Sequence, residues 1–279
     1  MSKLKFSRSG DMVLWKTEDL SHHRNQDITY LLDTNDFIAG SIINHGCWER
    51  NITDIFNDII KKDFVCIDAG AYLGYYSLQF AKLGKEVHSF EPFVRSYNHL
   101  CGNIFVNNFN DKIKAYNYGL GDKSIDVGIF FHEVVPLSWG EGEYQSWRNW
   151  GGTALGTEED FNSLTEEEQS RNDVKEWGGN TCTIKTLDSF NIKPDLIKID
   201  VEGWEDKMIK GGMKTIKKYK PIIVAEVKDK TSTVPLLKSL GYEVWNLNSQ
   251  PFDEDIICVH PQSNNYKNTV SKLDNFKAI

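Results

Sequence analysis

Cysteine pairs and zinc-ligand spacings are missing from this sequence. Its five cysteines are odd in number and widely scattered, with no C-x-x-C pair and no histidine at zinc spacing. This pattern argues against a disulfide framework or a zinc site, and it predicts reduced, buried and chemically ordinary thiols. The five positions are Cys47, Cys66, Cys101, Cys182 and Cys258.

Long apolar runs are also absent. No run approaches the length needed to span a membrane. The first thirty residues carry Lys3, Lys5, Arg8 and Asp11 and lack the apolar core of a signal peptide. We therefore expect no membrane span and a cytoplasmic protein.

Basic residues are fewer than acidic ones. The chain has 32 Lys and Arg residues against 40 Asp and Glu residues, which gives a formal net charge of −8 at pH 7. Proteins that grip duplex nucleic acid through its phosphates need basic surfaces, so this balance argues against a nucleic-acid partner. A small-molecule or glycan substrate fits better, and homo-oligomer formation stays open.

One stretch organises the rest of the chain. Residues 64–74, FVCIDAGAYLG, have the pattern of a buried strand, a glycine-spaced turn and the start of a helix. Asp68 follows the apolar run where a parallel strand would leave its sheet, and Gly70 and Gly74 bracket the turn. Ligands of open α/β sheets bind at such strand ends. With 279 residues and 40% hydrophobic content, one α/β domain with an insertion is expected.

A second acidic residue narrows the choice of ligand. The strand predicted over residues 86–90 ends at Glu91, which is placed to accept hydrogen bonds from both hydroxyls of a ribose. The glycines lack the G-x-G-x-x-G spacing of a dinucleotide site, whereas carboxylates at Asp68 and Glu91 suit a ligand with an ammonium group and a ribose. S-adenosylmethionine has both. The alternative is that Asp68 caps the turn and Glu91 only precedes a helix start.

The N-terminal residues are predicted to be an addition to the main α/β domain. Residues 1–60 are predicted to be an extension packed on the main sheet, and residues 61–279 to be the main domain. Strand fragments are expected at residues 13–15, 28–32 and 37–38. A helix with apolar residues at helical spacing follows up to Ile60, and Glu49 precedes it. Helix capping and a ligand contact are both open as roles for Glu49.

Strands and helices alternate beyond the glycine turn. The helix after the second strand is expected to bury Phe105, and residues 119–122 are expected to form a turn close to an adenine ring. The fourth and fifth strands end at Asp200 and Glu226. Two C-terminal strands close the chain, with His260 directly after the last one.

The periodicity fails from about residue 133 to residue 180, in a segment rich in tryptophan and glycine. Loops of this length are uncommon in compact domains unless they have a function. We interpret the segment as a lid and substrate-facing wall, because tryptophan faces suit sugar rings and Gly151 and Gly152 allow close approach to a cofactor. The alternative is that tryptophans such as Trp150 anchor a structural insertion.

These elements together resemble the FkbM-like family of class I S-adenosylmethionine-dependent methyltransferases. The resemblance covers roughly residues 47–227, and its most specific parts are IDAGAYLGYYS and DVEGWE. The matching stretches are FVCIDAGAYLGYYSLQFA (64–81), HSFEP (88–92), NYGLGD (117–122), NWGGTAL (149–155), LIKIDVEGWE (196–205) and PIIVAEV (221–227).

The resemblance implies a Rossmann-like α/β fold whose sheet has the order 3-2-1-4-5-7-6, with strand seven antiparallel and helices on both faces. It also implies O-methyl transfer to a hydroxyl of a sugar or of a polyketide-type natural product. By motif position, the cofactor-binding residues are Asp68, Gly70, Tyr72 and Gly74 for the methionine part, Glu91 for the ribose and Asn117 for the adenine. We add Glu49 and Asp200 to this set, and assign acceptor binding to Trp150, Gly151, Gly152 and Glu202.

Methyl transfer from a sulfonium is an in-line displacement, so the protein must hold the nucleophilic oxygen close to the methyl carbon. A sugar hydroxyl also needs a base. Asp200 is the first candidate, Glu226 the second and His260 a distant third. Asp200, Glu202 and Glu226 could instead gather a divalent cation, so the metal requirement stays open.

Two other functions remain as alternatives. One is a nucleic acid 2′-O-methyltransferase in which Asp200 works with a lysine such as Lys198. The other is a non-catalytic module that binds S-adenosylmethionine.

Overall fold

The computed structural model describes residues 4–5, 12–17, 27–34, 36–130, 154–156, 181–227, 229–247 and 255–279. The first elements are β1 (Leu4–Lys5), β2 (Met12–Lys16), β3 (Thr29–Asp33), α1 (Phe37–His45), α2 (Arg50–Ile59), β4 (Val65–Ala69), α3 (Tyr75–Leu83), β5 (Glu86–Phe90) and α4 (Val94–Val106). Next come β6 (Ile113–Tyr116), β7 (Gly119–Leu120), β8 (Ile125–Phe130), β9 (Ala154–Gly156), β10 (Thr181–Lys185), a 3₁₀ turn (Leu187–Phe190) and β11 (Leu196–Ile199). The last are α5 (Glu205–Gly211), α6 (Met213–Tyr219), β12 (Ile222–Glu226), α7 (Lys230–Ser239), β13 (Glu243–Asn246), β14 (Asp255–Val259), α8 (Tyr266–Val270) and β15 (Lys277–Ala278).

An eight-stranded sheet forms the centre of the described part of the chain. Its spatial order is β15-β13-β14-β12-β11-β4-β5-β6. Counted from β4, this is the expected order 3-2-1-4-5-7-6, and β14 runs antiparallel to both neighbours. The strands β11, β4, β5 and β12 are parallel, so their carboxyl ends meet at one edge. The α/β fold class predicted from the sequence is confirmed.

Alternating side chains give the sheet two buried faces. Cys66 belongs to the core under α2, α3 and α4, while its neighbour Ile67 belongs to the core under α5, α6 and α7. The helix α3 begins after Gly74 and ends before Gly84, as the glycines predict. In α2, Ile52 and Phe56 lie one turn apart and are at most 2% exposed. Burial of each such side chain stabilises the fold by about 1.5–3 kcal/mol.

The small sheet β1-β2-β3 lies against α4. Asn103 on α4 and Asn107 at the C-cap of the same helix, one turn apart, face the open edge of β3. Asn107 Oδ1 accepts the backbone N–H of Thr29 at 2.9 Å, and its Nδ2 donates to the carbonyl of the same residue at 2.6 Å. Asn103 makes the equivalent pair of contacts with Leu31. The two amides therefore satisfy the edge of β3 as another strand would.

Three predictions about local structure were wrong. Residues 37–38 start helix α1, because Asp36 Oδ1 accepts the backbone N–H of Ala39 at 2.9 Å and caps the helix. Phe105 is 71% exposed, since it lies on the outer side of α4. Gly119 and Leu120 form strand β7 and pair with β10, so they do not form a turn.

A third sheet, in the order β7-β10-β8-β9, lies beside the main one. It includes residues 154–156, the described part of the predicted insertion. Trp204 Nε1, directly before α5, donates to the carbonyl of Leu155 at 2.8 Å. This bond ties β9 to the edge where the parallel strands end. No helix in the described ranges is long and apolar enough to cross a membrane.

Candidate functional site

A cavity of about 190 Å³ opens at the carboxyl ends of β4, β5, β11 and β12. This is where an open α/β sheet normally binds its ligand. The first helices of the chain close one side of the cavity, and the third sheet contributes to the other. The lining residues are Phe37, Ile38, Trp48, Glu49, Gly70, Tyr72, Phe90, Glu91, Pro92, Phe93, Gly119, Leu120, Leu155, Asp200, Val201, Glu202 and Glu226.

The turn after β4 forms part of the cavity floor. Gly70 has φ of 83°, and a Cβ atom there would stand 1.6 Å from the backbone oxygen of Asp200. Glycine is therefore required by the close crossing of two backbones as well as by the left-handed conformation. Gly74, with φ of 90°, has the same conformation directly before α3 and lies against Leu100. The turn thus lies at the cavity beside the end of β11, and the backbone N–H groups of Gly70 and Ala71 hold it in place by donating to the carbonyl of Phe90.

Asp68 lies beneath this turn and does not line the cavity. Its Oδ2 accepts from the hydroxyl of Ser77 at 2.5 Å, and the residue is 1% exposed. Burial raises the pKa of its carboxyl. Among the described residues, its Oδ1 has no hydrogen-bond partner. An orphaned buried oxygen of this kind is where a donor from a ligand or an ordered water would be expected.

Glu91 is buried at the end of β5 and holds two turns in place. Its Oε2 accepts the backbone N–H of Tyr72, and its Oε1 accepts that of Phe93, both at 2.8 Å. Burial raises the pKa of this carboxyl to about 7. Asn117 Nδ2 donates to the carbonyls of Glu91 and Pro92 at 2.9 and 3.0 Å, so it fixes the loop from behind and does not line the cavity.

A buried lysine stands at the centre of the acidic groups. Lys198, in register with Asp68 on the neighbouring strand, has a side chain that is only 7% exposed. Its Nζ donates to Asp200 Oδ2 at 2.7 Å and lies 4.7 Å from the centre of the Tyr76 ring. The nearby carboxylates of Asp200, Asp68 and Glu49 raise the pKa of this ammonium against the opposing effect of burial. Lys198 is therefore the counter-charge of the whole cluster.

Glu226 and Glu49 complete this cluster from opposite sides. Burial, followed by the charge of Asp200, raises the pKa of Glu226 to about 9. Burial raises the pKa of Glu49 to about 7, although the ammonium of Lys198 opposes that shift. Near neutral pH, Glu226 is therefore protonated and hydrogen-bonded to Asp200, and Glu49 is part protonated.

Three tyrosines of the segment AYLGYY fasten the N-terminal helices to the site. The hydroxyl of Tyr72 donates to Asp36 Oδ2 at 2.7 Å, and that of Tyr76 donates to Glu49 Oε2 at 2.6 Å. The hydroxyl of Tyr75 lies 3.1 Å from Thr53 Oγ1. We call these three contacts the tyrosine clasp. It joins the glycine turn to residues 36–53, which supply one wall of the cavity.

Backbone strain is concentrated around the cavity. Three of its lining residues other than glycine have left-handed backbone conformations, namely Glu49 (φ 38°), Tyr72 (φ 49°) and Glu202 (φ 50°). Such conformations cost on the order of 1 kcal/mol or more each and cluster at functional sites. Glu49 occupies the N-cap position of α2, but its side chain makes no capping bond and contacts Tyr76 instead.

The structure brings most of the predicted site residues to one place. The residues that line the cavity are Glu49, Gly70, Tyr72, Glu91, Asp200, Glu202 and Glu226. Asp68, Gly74 and Asn117 support it from behind. The predicted acceptor residues Trp150, Gly151 and Gly152 lie outside the described residues. Whether any of these positions binds a ligand stays a prediction.

His260 was a wrong choice as a third candidate base. Because β14 runs antiparallel to β12, its carboxyl end lies at the opposite edge of the sheet from the cavity. The ring of His260 packs edge-on against Tyr242, with ring centres 5.3 Å apart.

Sequence reasoning missed Phe37, Ile38 and Trp48, which line the cavity. It also gave Lys198 only a secondary role. The signal for Lys198 was its position inside the apolar run LIKI, where a charged side chain needs a buried partner. No group of three or more His, Cys, Asp or Glu side chains in the described ranges is arranged to hold a metal ion.

Comparison with known proteins identifies the family of this chain. The model described as the methyltransferase FkbM domain matches residues 68–244. The matched range runs from the end of β4 to β13 and includes the glycine turn, Glu91, Lys198, Asp200 and Glu226. The resemblance inferred from the sequence motifs is confirmed. A search of curated proteins gives no match.

Solved structures with related folds are distant. A methyltransferase FkbM from Methylobacillus flagellatus KT is 16% identical with a TM-score of 0.46; the match covers 71% of this chain and 44% of that one. An rRNA methylase from Streptococcus thermophilus is 10% identical with a TM-score of 0.42, over 75% and 95% of the two chains. A tRNA (uracil-54, C5)-methyltransferase from Pyrococcus abyssi, in complex with S-adenosyl-L-homocysteine, is 11% identical with a TM-score of 0.42, over 88% and 43%.

Proposed function

Because this chain belongs to the FkbM methyltransferase family, we propose that it transfers a methyl group from S-adenosylmethionine to a hydroxyl oxygen of a sugar, a glycan or a related small molecule. The observation that carries the proposal is the position of Asp200. Its carboxylate lines the cavity beside the glycine turn, and a buried ammonium holds it at 2.7 Å. A fixed carboxylate at this point can receive a proton from an acceptor hydroxyl.

Two features of the cavity fit the cofactor. Glu91 lines the cavity at the end of β5, where its carboxylate can accept hydrogen bonds from ribose hydroxyls. Asp68 Oδ1 is buried without a partner in the described part of the chain, near the turn proposed to hold the methionine ammonium. Gly70 and Tyr72 would line the methionine part. When bound, S-adenosylmethionine supplies a methyl carbon made electrophilic by its sulfonium.

Residues of this chain supply the rest of the chemistry. The cavity would hold the acceptor oxygen in line with the methyl carbon of a bound cofactor, where a C–O bond can form as the S–C bond breaks and a neutral thioether leaves. Asp200 takes the hydroxyl proton, which contributes about 10²- to 10⁴-fold to the rate. Glu226, protonated near neutral pH and hydrogen-bonded to Asp200, orients that carboxylate, and it is the second candidate base only when ionised, above its pKa of about 9.

The test combines labelled S-adenosylmethionine with a panel of sugars, glycans and small hydroxylated molecules, each with and without a chelator. The chelator arm decides the metal requirement. We expect label in an uncharged acceptor and at least a 100-fold loss of turnover in Asp200→Asn, with a much smaller loss of cofactor affinity. Label transferred only to RNA would favour the nucleic-acid alternative. Cofactor binding without transfer to any acceptor would favour a binding module.

A further inference from the structure

Charge around the cavity is one-sided. Five carboxyl side chains line it, and no Lys, Arg or His occurs among its described lining residues. The five are Glu49, Glu91, Asp200, Glu202 and Glu226. The ammonium of Lys198 is buried beneath them and bonded to Asp200. A phosphate that entered this cavity would meet acceptors of its own charge sign and no basic side chain to balance them.

The same groups suit a hydroxyl. The carboxylate of Asp200, held by Lys198, can accept a hydrogen bond, and Glu49 and Glu202 bring further carboxyl oxygens to the same cavity. The cavity therefore offers several acceptor oxygens to a group that can donate. A hydroxyl group both donates and accepts, whereas a phosphate ester oxygen only accepts. Vicinal hydroxyls of a sugar ring match this arrangement.

One wall beside these groups is aromatic. Phe37 and Trp48 both line the cavity, with ring centres 5.6 Å apart and planes at 81° to one another. Phe37 is 39% exposed, so one side of its ring is open to solvent or to a ligand. The apolar face of a sugar ring packs well on such a surface. Both residues precede residue 68, where the match to the family model begins.

Building on the methyl transfer proposed above, we propose that residues 37–49 form the acceptor subsite of this protein and that it selects an uncharged, hydroxyl-rich ring over a phosphate-bearing one. Phe37 and Trp48 bind the face of the ring. Glu49 and Glu202 accept its hydroxyls and repel phosphate. Phe37, Trp48 and Glu49 of this subsite thus lie outside the family match and are attached to the glycine turn by the tyrosine clasp, whereas Glu202 lies within the match.

Ligand-observed NMR on the full chain tests this without turnover. The probes are a set of methyl pyranosides, the matching sugar 6-phosphates and a short oligoribonucleotide, each with and without adenosylhomocysteine. We expect at least one uncharged glycoside to bind about ten-fold or more tightly than its phosphate. Phe37→Ala should weaken that glycoside about five-fold or more and leave adenosylhomocysteine affinity unchanged. Phe105→Ala, a matched change of an exposed phenylalanine on α4, should alter neither.

A second variant tests the charge directly. Glu202→Gln should narrow the preference for the uncharged glycoside, since one repelling carboxylate is gone. The proposal is overturned if a sugar phosphate or the oligonucleotide binds as tightly as the uncharged glycosides, if none of the glycosides binds, or if Phe37→Ala has no effect. Selective glycoside binding without methyl transfer in the labelling assay would retain the subsite and reject the proposed reaction.

Discussion

Replacing Lys198 with methionine gives the sharpest test of the charge cluster. Methionine has a similar length and keeps the packing under Tyr76, but it removes the only ammonium that faces Asp200, Asp68 and Glu49 in the part of the chain that is described. Two unit charges about 3 Å apart attract by roughly 5 kcal/mol at an effective dielectric constant of about 20. Loss of one partner of a buried pair costs about 3–5 kcal/mol. Asp200 is 29% exposed, so we expect a loss of about 3 kcal/mol at pH 8.

The pH dependence of this loss has a definite sign. Lys198 lowers the pKa values of Glu49 and Glu226, which burial has raised to about 7 and about 9. Between the ordinary carboxyl pKa and these values, the folded protein binds more protons than the unfolded chain, so stability falls as pH rises. Without the lysine both pKa values move further upward. The deficit of the variant should therefore be largest at pH 8 and clearly smaller at pH 5.5, where both groups are protonated.

Urea unfolding followed by tryptophan fluorescence at the two pH values measures the deficit. Lys210→Met is the matched control, because Lys210 also lies 2.7 Å from a carboxylate oxygen, that of Asp206, but its side chain is 51% exposed. That change should cost no more than about 0.5 kcal/mol at either pH. A Lys198→Met protein as stable as the parent at pH 8, or a deficit that grows toward pH 5.5, would refute the reasoning.

Three further changes have defined outcomes. Glu91→Gln should weaken adenosylhomocysteine binding by about 1–3 kcal/mol, measured by calorimetry, because a charged acceptor is lost. In the parent protein, the affinity for adenosylhomocysteine should rise as pH increases through about 7, where Glu91 ionises. An affinity that does not change with pH would count against the role of Glu91 in binding. Gly70→Ala should destabilise the fold by more than about 3 kcal/mol in urea unfolding, because its Cβ would stand 1.6 Å from the backbone oxygen of Asp200. A urea midpoint equal to that of the parent would contradict this close approach of the two backbones. Tyr76→Phe removes the 2.6 Å bond to Glu49 and should raise the pKa of that carboxyl above about 7 in a carbon-13 NMR titration. An unchanged pKa of Glu49 would show that the Tyr76 hydroxyl does not stabilise its ionised form.

Local patterns predicted the centre of the fold well. The glycines at 74 and 84 and the run before Glu91 predicted α3 and β5 at their observed bounds, and the apolar run before Asp68 predicted β4 to within two residues. These signals are short-range, since each depends on burial or backbone conformation at the residue itself. Phe37 shows the limit. An aromatic residue followed by isoleucine is compatible with a strand or a helix. Residues 37 and 38 are helical because the side-chain oxygen of Asp36 caps the helix that starts there.

The site was predictable where it lies on strand ends and not where distant segments meet. Asp200 and Glu226 follow apolar strands, so their shared edge could be inferred from the alternation alone. The full set of partners of Lys198 could not, because Asp68 comes from β4 and Glu49 from the start of α2, and only Asp200 follows the lysine's own strand. Trp48 likewise could not be predicted, because it lies between α1 and α2 and lines the cavity only when those helices are packed against it. Glu49 was assigned correctly to a helix start, but its side chain has a different partner from the one that position suggests.

The tyrosine clasp has a consequence for protein engineering. A cut near residue 60, which the sequence suggests as a boundary, would strip the hydroxyls of Tyr72 and Tyr76 of their carboxylate partners on Asp36 and Glu49. It would also uncover the ring of Phe80, which packs against Phe56 of the removed segment. A segment swapped in from another protein would succeed only if it carried acceptors at the equivalents of positions 36, 49 and 53. The N-terminal helices are therefore exchangeable between scaffolds that share the same three-tyrosine turn, and only as one piece.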